Sequence, residues 1–208
     1  MLRKFLLLAI QGEFAQLYYH LWLRLKRLDF SNASMVNKSD GQPYSNSGGP
    51  NLERVLRSLA IKKKGSVMLE LGVGKGIACI TLSKFFDAII GVDLSQDLID
   101  VARANLVRVN ITNVKLYCEN ARTFCGGLDD VTHVYMFNPF SREVTKGVFE
   151  NIKRSVERRP RTITLIYLAP YAHELCLDAG FKHRRDFAFG KDNSVQNRCS
   201  IYDILPGP

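Results

Sequence analysis

The chain has 208 residues, 46% of them hydrophobic and twelve of them Phe, which excludes a disordered polypeptide and provides for one good-sized core. Its five cysteines (Cys79, Cys118, Cys125, Cys176, Cys199) are odd in number, widely spaced and free of any CxxC pair, which argues against a disulfide scaffold or zinc site and for a reducing, cytoplasmic setting. Net charge is +9, and residues 1–66 hold +7 of it, so the basic surface, and any anionic partner, belong mostly to the N-terminal part.

The opening stretch MLRKFLLLAIQGEFA sets two cations before an apolar run. That run, Phe5 to Ile10, is short for a signal-peptide core and far short of the roughly 20 residues a membrane span needs. Residues 1–28 read as one long amphipathic helix. Leu7, Phe14, Leu21 and Leu28 recur every seven residues, and Ile10, Leu17 and Leu25 fill the same stripe. Packing on its own domain is the first expectation for such a stripe; a homodimer seam, peripheral contact with a membrane surface and a substrate lid stay open. Residues 31–50, rich in Ser, Asn, Gly and Pro, read as a loop, and Asn51 is placed to cap the next helix, LERVLRSLAI.

From there apolar runs alternate with helical patterns. Strands are expected at 66–71, 88–93, 114–118, 131–137 and 162–168, with helices at 75–86, 96–109, about 142–157 and a short one ending near Ala179. Two last strands, near 181–189 and 195–204, follow each other with no helix between them. Strands alternating with helices mean a doubly wound, mostly parallel α/β sheet, since parallel neighbours require crossovers. The closing pair makes seven strands, with one antiparallel strand at the C-terminal end. Residues 1–50 would then be an extension on the substrate side, and 51–208 the ligand-binding domain.

The stretch LELGVGKG, Leu69 to Gly76, falls where the first strand ends, the place where doubly wound sheets bind ligands. A phosphate-gripping GxxxxGK[ST] loop fails twice: Lys75 is followed by Gly76 rather than Ser or Thr, and Leu69 stands where its first glycine belongs. A dinucleotide GxGxxG fails at Ile77. What remains is Glu70-x-Gly72-x-Gly74-x-Gly76.

That pattern resembles the first motif of the class I, Rossmann-like S-adenosylmethionine-dependent methyltransferases. The stretch GVDLSQDLIDVARAN resembles their second motif, and CENARTF their third-strand segment; the resemblance covers about residues 52–205. It implies S-adenosylmethionine as cofactor, held by Glu70, Gly72, Val73, Gly74, Gly76, Asp93, Leu94, Asn120, Ala121 and Asn138. Asp93 would take the ribose hydroxyls, Asn120 and Ala121 the adenine, and an upstream Tyr44 the methionine end. The chemistry agrees, because glycines let backbone approach the ligand closely and a carboxylate suits a cationic ligand better than a pyrophosphate.

The stretch YMFNPF ends the fourth strand. Amine- and amide-directed methyltransferases carry Asn/Asp-Pro-Pro-Tyr/Phe here, and Asn138, Pro139 and Phe140 keep the amide and the ring with one proline fewer. The resemblance implies an amino acceptor aligned by Asn138, on a small molecule or a surface-presented group. An RNA or DNA base methyltransferase is the alternative enzyme, and a non-catalytic module binding S-adenosylmethionine or S-adenosylhomocysteine the alternative outside enzymes. Tyr171, His173 and Glu174 stand near the same rim as candidate bases. His20, His133, His173 and His183 show no ligand-like spacing, so no metal is expected. The basic stretches IKKKG and KRSVERRPR fall at the amino ends of strands, on the rim away from the glycines.

Overall fold

The computed structural model describes residues 2–31, 45–189, 192 and 194–207, with side chains from Phe14 onward. Seven strands build one sheet: β1 (Val67–Leu71), β2 (Ala88–Asp93), β3 (Val114–Cys118), β4 (His133–Phe137), β5 (Ile163–Leu168), β6 (Lys182–Ala188) and β7 (Arg198–Ile204). Their order is β3-β2-β1-β4-β5-β7-β6, and β7 alone runs antiparallel to its neighbours. The helices are α1 (Leu2–Leu25), α2 (Pro50–Ser58), α3 (Ile77–Leu82), α4 (Gln96–Arg108), α5 (Arg142–Arg158) and α6 (His173–Asp178).

Period-two alternation sorts each central strand onto two cores. On β1, Leu69 and Leu71 face the α5 and α6 side, with Val134, Met136, Phe149 and Tyr167. Met68 points the other way, into a cluster built with α1 to α4 that includes Leu23, Val55, Ile77, Phe86 and Ile99. The chain order reverses between β1 and β4, so the crevice at their carboxyl ends is the topological switch point.

Two helix starts differ from the sequence expectation. α2 begins at Pro50, with Gly49 rather than Asn51 as its cap; proline's fixed φ suits a first helical position, and the Gly49 N–H donates to Thr81 Oγ1 at 2.9 Å. α3 begins only at Ile77, because Gly76 at φ 74° is still part of the turn.

The N-terminal helix departs furthest. It stops at Leu25, where Arg27 turns left-handed (φ 52°); the Leu28 N–H then donates to the Leu23 carbonyl at 3.0 Å and that of Arg27 to Arg24 at 2.9 Å. This closing motif folds Leu28 back beside Leu23, and both are buried. The face that meets the domain is therefore Tyr19, Trp22 and Leu23. The stripe read from the sequence, Phe14, Leu17, Leu21 and Leu25, lies in solvent, at 65% exposure for Phe14 and 82% for Leu25. Just beyond α1, the Lys75 ammonium donates to Asp29 at 2.6 Å and to Ser31 at 3.0 Å. Asn105 clamps the same segment by bonding the Asp29 carbonyl and N–H. The lysine of the glycine motif thus ties the extension to the domain.

Leu23→Ala should lower stability by about 2–5 kcal/mol, whereas Leu25→Ala should stay within about 0.5 kcal/mol of the parent. Urea unfolding of the two variants tests which face of α1 is packed.

Candidate functional site

A cavity of about 300 Å³ opens at the carboxyl ends of β1, β2, β4 and β5. It gathers Glu70, Gly72, Val73, Gly74, Asp93, Leu94 and Ala121 with Asn138, Pro139 and Phe140. Gly76 and Asn120 are not among its lining residues. A Cβ on Gly76 would stand 3.0 Å from the Ala102 Cβ, so that glycine serves the close approach of α3 to α4. Asn120 turns its Oδ1 back to accept the Arg122 N–H at 2.9 Å, and Glu119, one residue earlier, borders the cavity instead. Tyr44 lies outside the described residues.

Asp93 ends β2 and is tied into the turn. Its Oδ2 accepts the Gly74 N–H at 2.8 Å and its Oδ1 the Ser95 N–H at 3.0 Å, which fixes the glycine turn against the start of α4. Each carboxylate oxygen keeps a further lone pair for a ligand hydroxyl. Burial raises its pKa, and the backbone donors act in the opposite direction.

Glu70 is buried in β1 beneath α3, where the Cys79 thiol donates to its Oε2 at 2.8 Å. Burial, with the neighbouring Asp93 adding to it, pushes its pKa up to about 8 from an ordinary 4.5. The sequence reading treats Glu70 as a standing carboxylate. Burial therefore favours its neutral form. A cation entering beside it favours the ionised form.

The glycine turn and the NPF stretch touch. Gly72 has φ 73°, and a Cβ there would stand 2.4 Å from the Pro139 Cβ, so only glycine fits. Asn138 itself sits at φ 38°. Its Oδ1 accepts the Tyr167 hydroxyl at 3.2 Å, and that oxygen accepts the Ala172 N–H at 3.3 Å. Tyr167 thereby orients the amide from β5. Sequence reasoning passed it over as one more apolar strand residue, although a tyrosine in a fully buried strand needs a partner for its hydroxyl. Ser45, Ser47 and Gln196 also border the cavity, from loops that carry no motif.

Of the three candidate bases, Tyr171 reaches the cavity wall. His173 faces Tyr202, 2.5 Å from its hydroxyl, and Glu174 pairs with Arg142 at 3.5 Å. Among the described residues no three His, Cys, Asp or Glu gather to hold a metal. The basic stretches at the opposite rim bind their own fold: Lys63 donates to the Ser83 carbonyl, Arg158 pairs with Asp129, and Arg161 donates to the Leu128 and Val131 carbonyls.

A family model described as a methyltransferase domain matches residues 68–159. These residues resemble a methyltransferase domain. The fold around them is the class I, Rossmann-like one: a SAM dependent methyltransferase from Aquifex aeolicus superposes with a TM-score of 0.58 over 74% of this chain and 88% of its own, at 17% identity. The protein-L-isoaspartate O-methyltransferase of Thermotoga maritima is 27% identical over 43% of this chain and 29% of its own length. An uncharacterized RNA methyltransferase of Chlamydia caviae is 32% identical over 40% and 21% respectively. The match therefore spans less than a third of either curated relative.

A cationic cofactor bound beside Glu70 would bind with a pH dependence. Its folded pKa exceeds the unfolded one, so its contribution to stability is fully present below about pH 4.5 and is lost as pH rises towards about 8. A cationic ligand that draws off this proton binds more tightly as pH rises, by up to about tenfold per unit, and levels off above about pH 8. Titration calorimetry with S-adenosylmethionine should show this slope, and Glu70→Gln should flatten it while raising thermal stability at pH 8.

Proposed function

We propose that the chain is an S-adenosylmethionine-dependent methyltransferase that transfers a methyl group to an amino nitrogen presented at Asn138. The observation that carries this reading is one cavity, at the switch point, that joins the glycine turn and Asp93 to Asn138, Pro139 and Phe140. The residues fit that cofactor. Asp93 offers acceptors for a ribose, Glu70 a group that ionises beside a cation, and the Gly72–Gly74 backbone a close approach. Bound there, S-adenosylmethionine supplies a methyl group on a positively charged sulfur that is already a good leaving group.

The residues of the chain then have to present the acceptor. The Asn138 Oδ1, held by Tyr167, accepts a hydrogen bond from an amine and aims its lone pair at the methyl. Phe140 offers a ring face to a planar acceptor. A second cavity of about 180 Å³ shares Ser47 and Gln196 with the first and takes Gln16 and His20 from α1. Its hydrogen-bonding groups from α1 and the loop before α2 support a role for residues 1–50 in choosing the acceptor. The five unpaired cysteines support a reducing, cytoplasmic compartment.

A nucleic-acid base is the second reading, favoured by the similarity to an RNA methyltransferase and by the +7 of residues 1–66. The basic groups engaged with backbone carbonyls at the far rim weigh against it.

S-adenosylmethionine should raise the melting temperature, and Asp93→Ala should erase most of that shift; an unchanged shift refutes the ribose assignment. With an acceptor found by screening fractionated extract against methyl-labelled cofactor, Asn138→Ala should reduce kcat by about 10²-fold or more and leave cofactor affinity near that of the parent. Equal losses in both would reduce Asn138 to a wall of the cofactor cavity.

A further inference from the structure

A helix that is apolar all round is normally covered all round. α1 is apolar on two opposite faces and covered on one. At 3.6 residues per turn, Phe14, Leu17, Tyr18, Leu21 and Leu25 fall within an arc of about 100°, opposite the buried Leu23. All five are exposed. The helix is also fixed in this orientation, by the Leu23–Leu28 closure and by the network of Asp29, Lys75 and Asn105. Large apolar side chains grouped on a surface of this kind mark a binding face.

Charge selects the occupant. Arg24, Lys26 and Arg27 are exposed where the stripe ends, and Arg108 joins them by donating to the Arg27 carbonyl. From Phe14 to Leu25 the helix has no acidic residue, and Asp29 just beyond is paired with Lys75. A second copy of the chain fits this poorly. Arg3 and Lys4 open the helix sequence, so parallel or antiparallel pairing sets a basic end against a basic end. A nucleic acid would satisfy the cations but leave five apolar side chains in water. An anionic bilayer meets both needs, with lipid headgroups for the cations and the acyl boundary for the leucines.

We propose that α1 seats the protein on an anionic membrane surface, lying in the interface with Phe14, Leu17, Tyr18, Leu21 and Leu25 facing the lipid. No described helix is long and apolar enough to cross the bilayer, so the contact is peripheral. One apolar helix with a few cations gives reversible attachment that weakens as salt rises.

The test is cosedimentation of the full chain with vesicles of equal parts phosphatidylglycerol and phosphatidylcholine, against vesicles of phosphatidylcholine alone. The chain should partition onto the anionic vesicles and lose this with added salt. The double variant Leu17→Ser, Leu21→Ser should weaken partition by at least about tenfold, with an unchanged urea midpoint because both positions are exposed. Arg24→Gln with Lys26→Gln should weaken it on anionic vesicles only. Absence of sedimentation, equal partition onto both vesicle types, or indifference to the serine pair overturns the proposal. So does a dimer in sedimentation velocity that the serine pair dissociates, or RNA binding without vesicle binding. The readout needs neither cofactor nor turnover, so its failure and failure of the methyl-transfer reading are separate results.

Discussion

The site rests on one carboxylate. Asp93 ends β2, yet its two oxygens hold the backbone of Gly74 after β1 and of Ser95 before α4. Three elements that approach the crevice from different directions are fixed by a single side chain. Because both bonds go to backbone N–H groups, they do not depend on which residues surround them. Asp93 also lines the cavity, so the group that shapes the pocket forms part of its polar wall.

A second constraint is the burial of Glu70. A carboxyl sealed under α3, with a thiol as hydrogen-bond donor, has its pKa raised by burial to about 8. Burial thus favours the neutral form of this group at the floor of the site. A matching positive charge would favour ionisation there, against the large penalty of an unpaired buried ion. The Lys75 side chain, two residues past Val73, secures the extension through Asp29 and Ser31.

Much of the fold was legible because strand and helix periods differ. The buried runs SVMLEL, AIIGVD and TITLIYL coincide with β1, β2 and β5 to within a residue, and their alternation with helical stretches pointed to the doubly wound sheet. The glycine spacing and the acid at the end of β2 pointed to the crevice, because backbone geometry demands glycine at a position such as Gly72. What stayed hidden depends on tertiary partners. The heptad spacing identified α1 as a helix but not its covered side, since Tyr19, Trp22 and Leu23 are as apolar as the stripe opposite them. Asn120 looked like a ligand contact until its side chain closed a local turn, and Tyr167 acquires its role only because β4 and β5 pair in a register that brings it beside Asn138. Ser45, Ser47 and Gln196 come from loops, where no period exists to read.

The contact between Gly72 and Pro139 has one more outcome. Two loops that descend from different strands share a single van der Waals boundary, with no slack for even one carbon atom. Neither loop can be redesigned alone. A bulkier or differently bent residue at position 139 would press on the turn beneath it and disturb ligand binding on the far side of the same crevice. Retargeting this scaffold to a new acceptor is therefore safer through the loop bearing Gln196, or through Ser45 and Ser47, than through the proline itself.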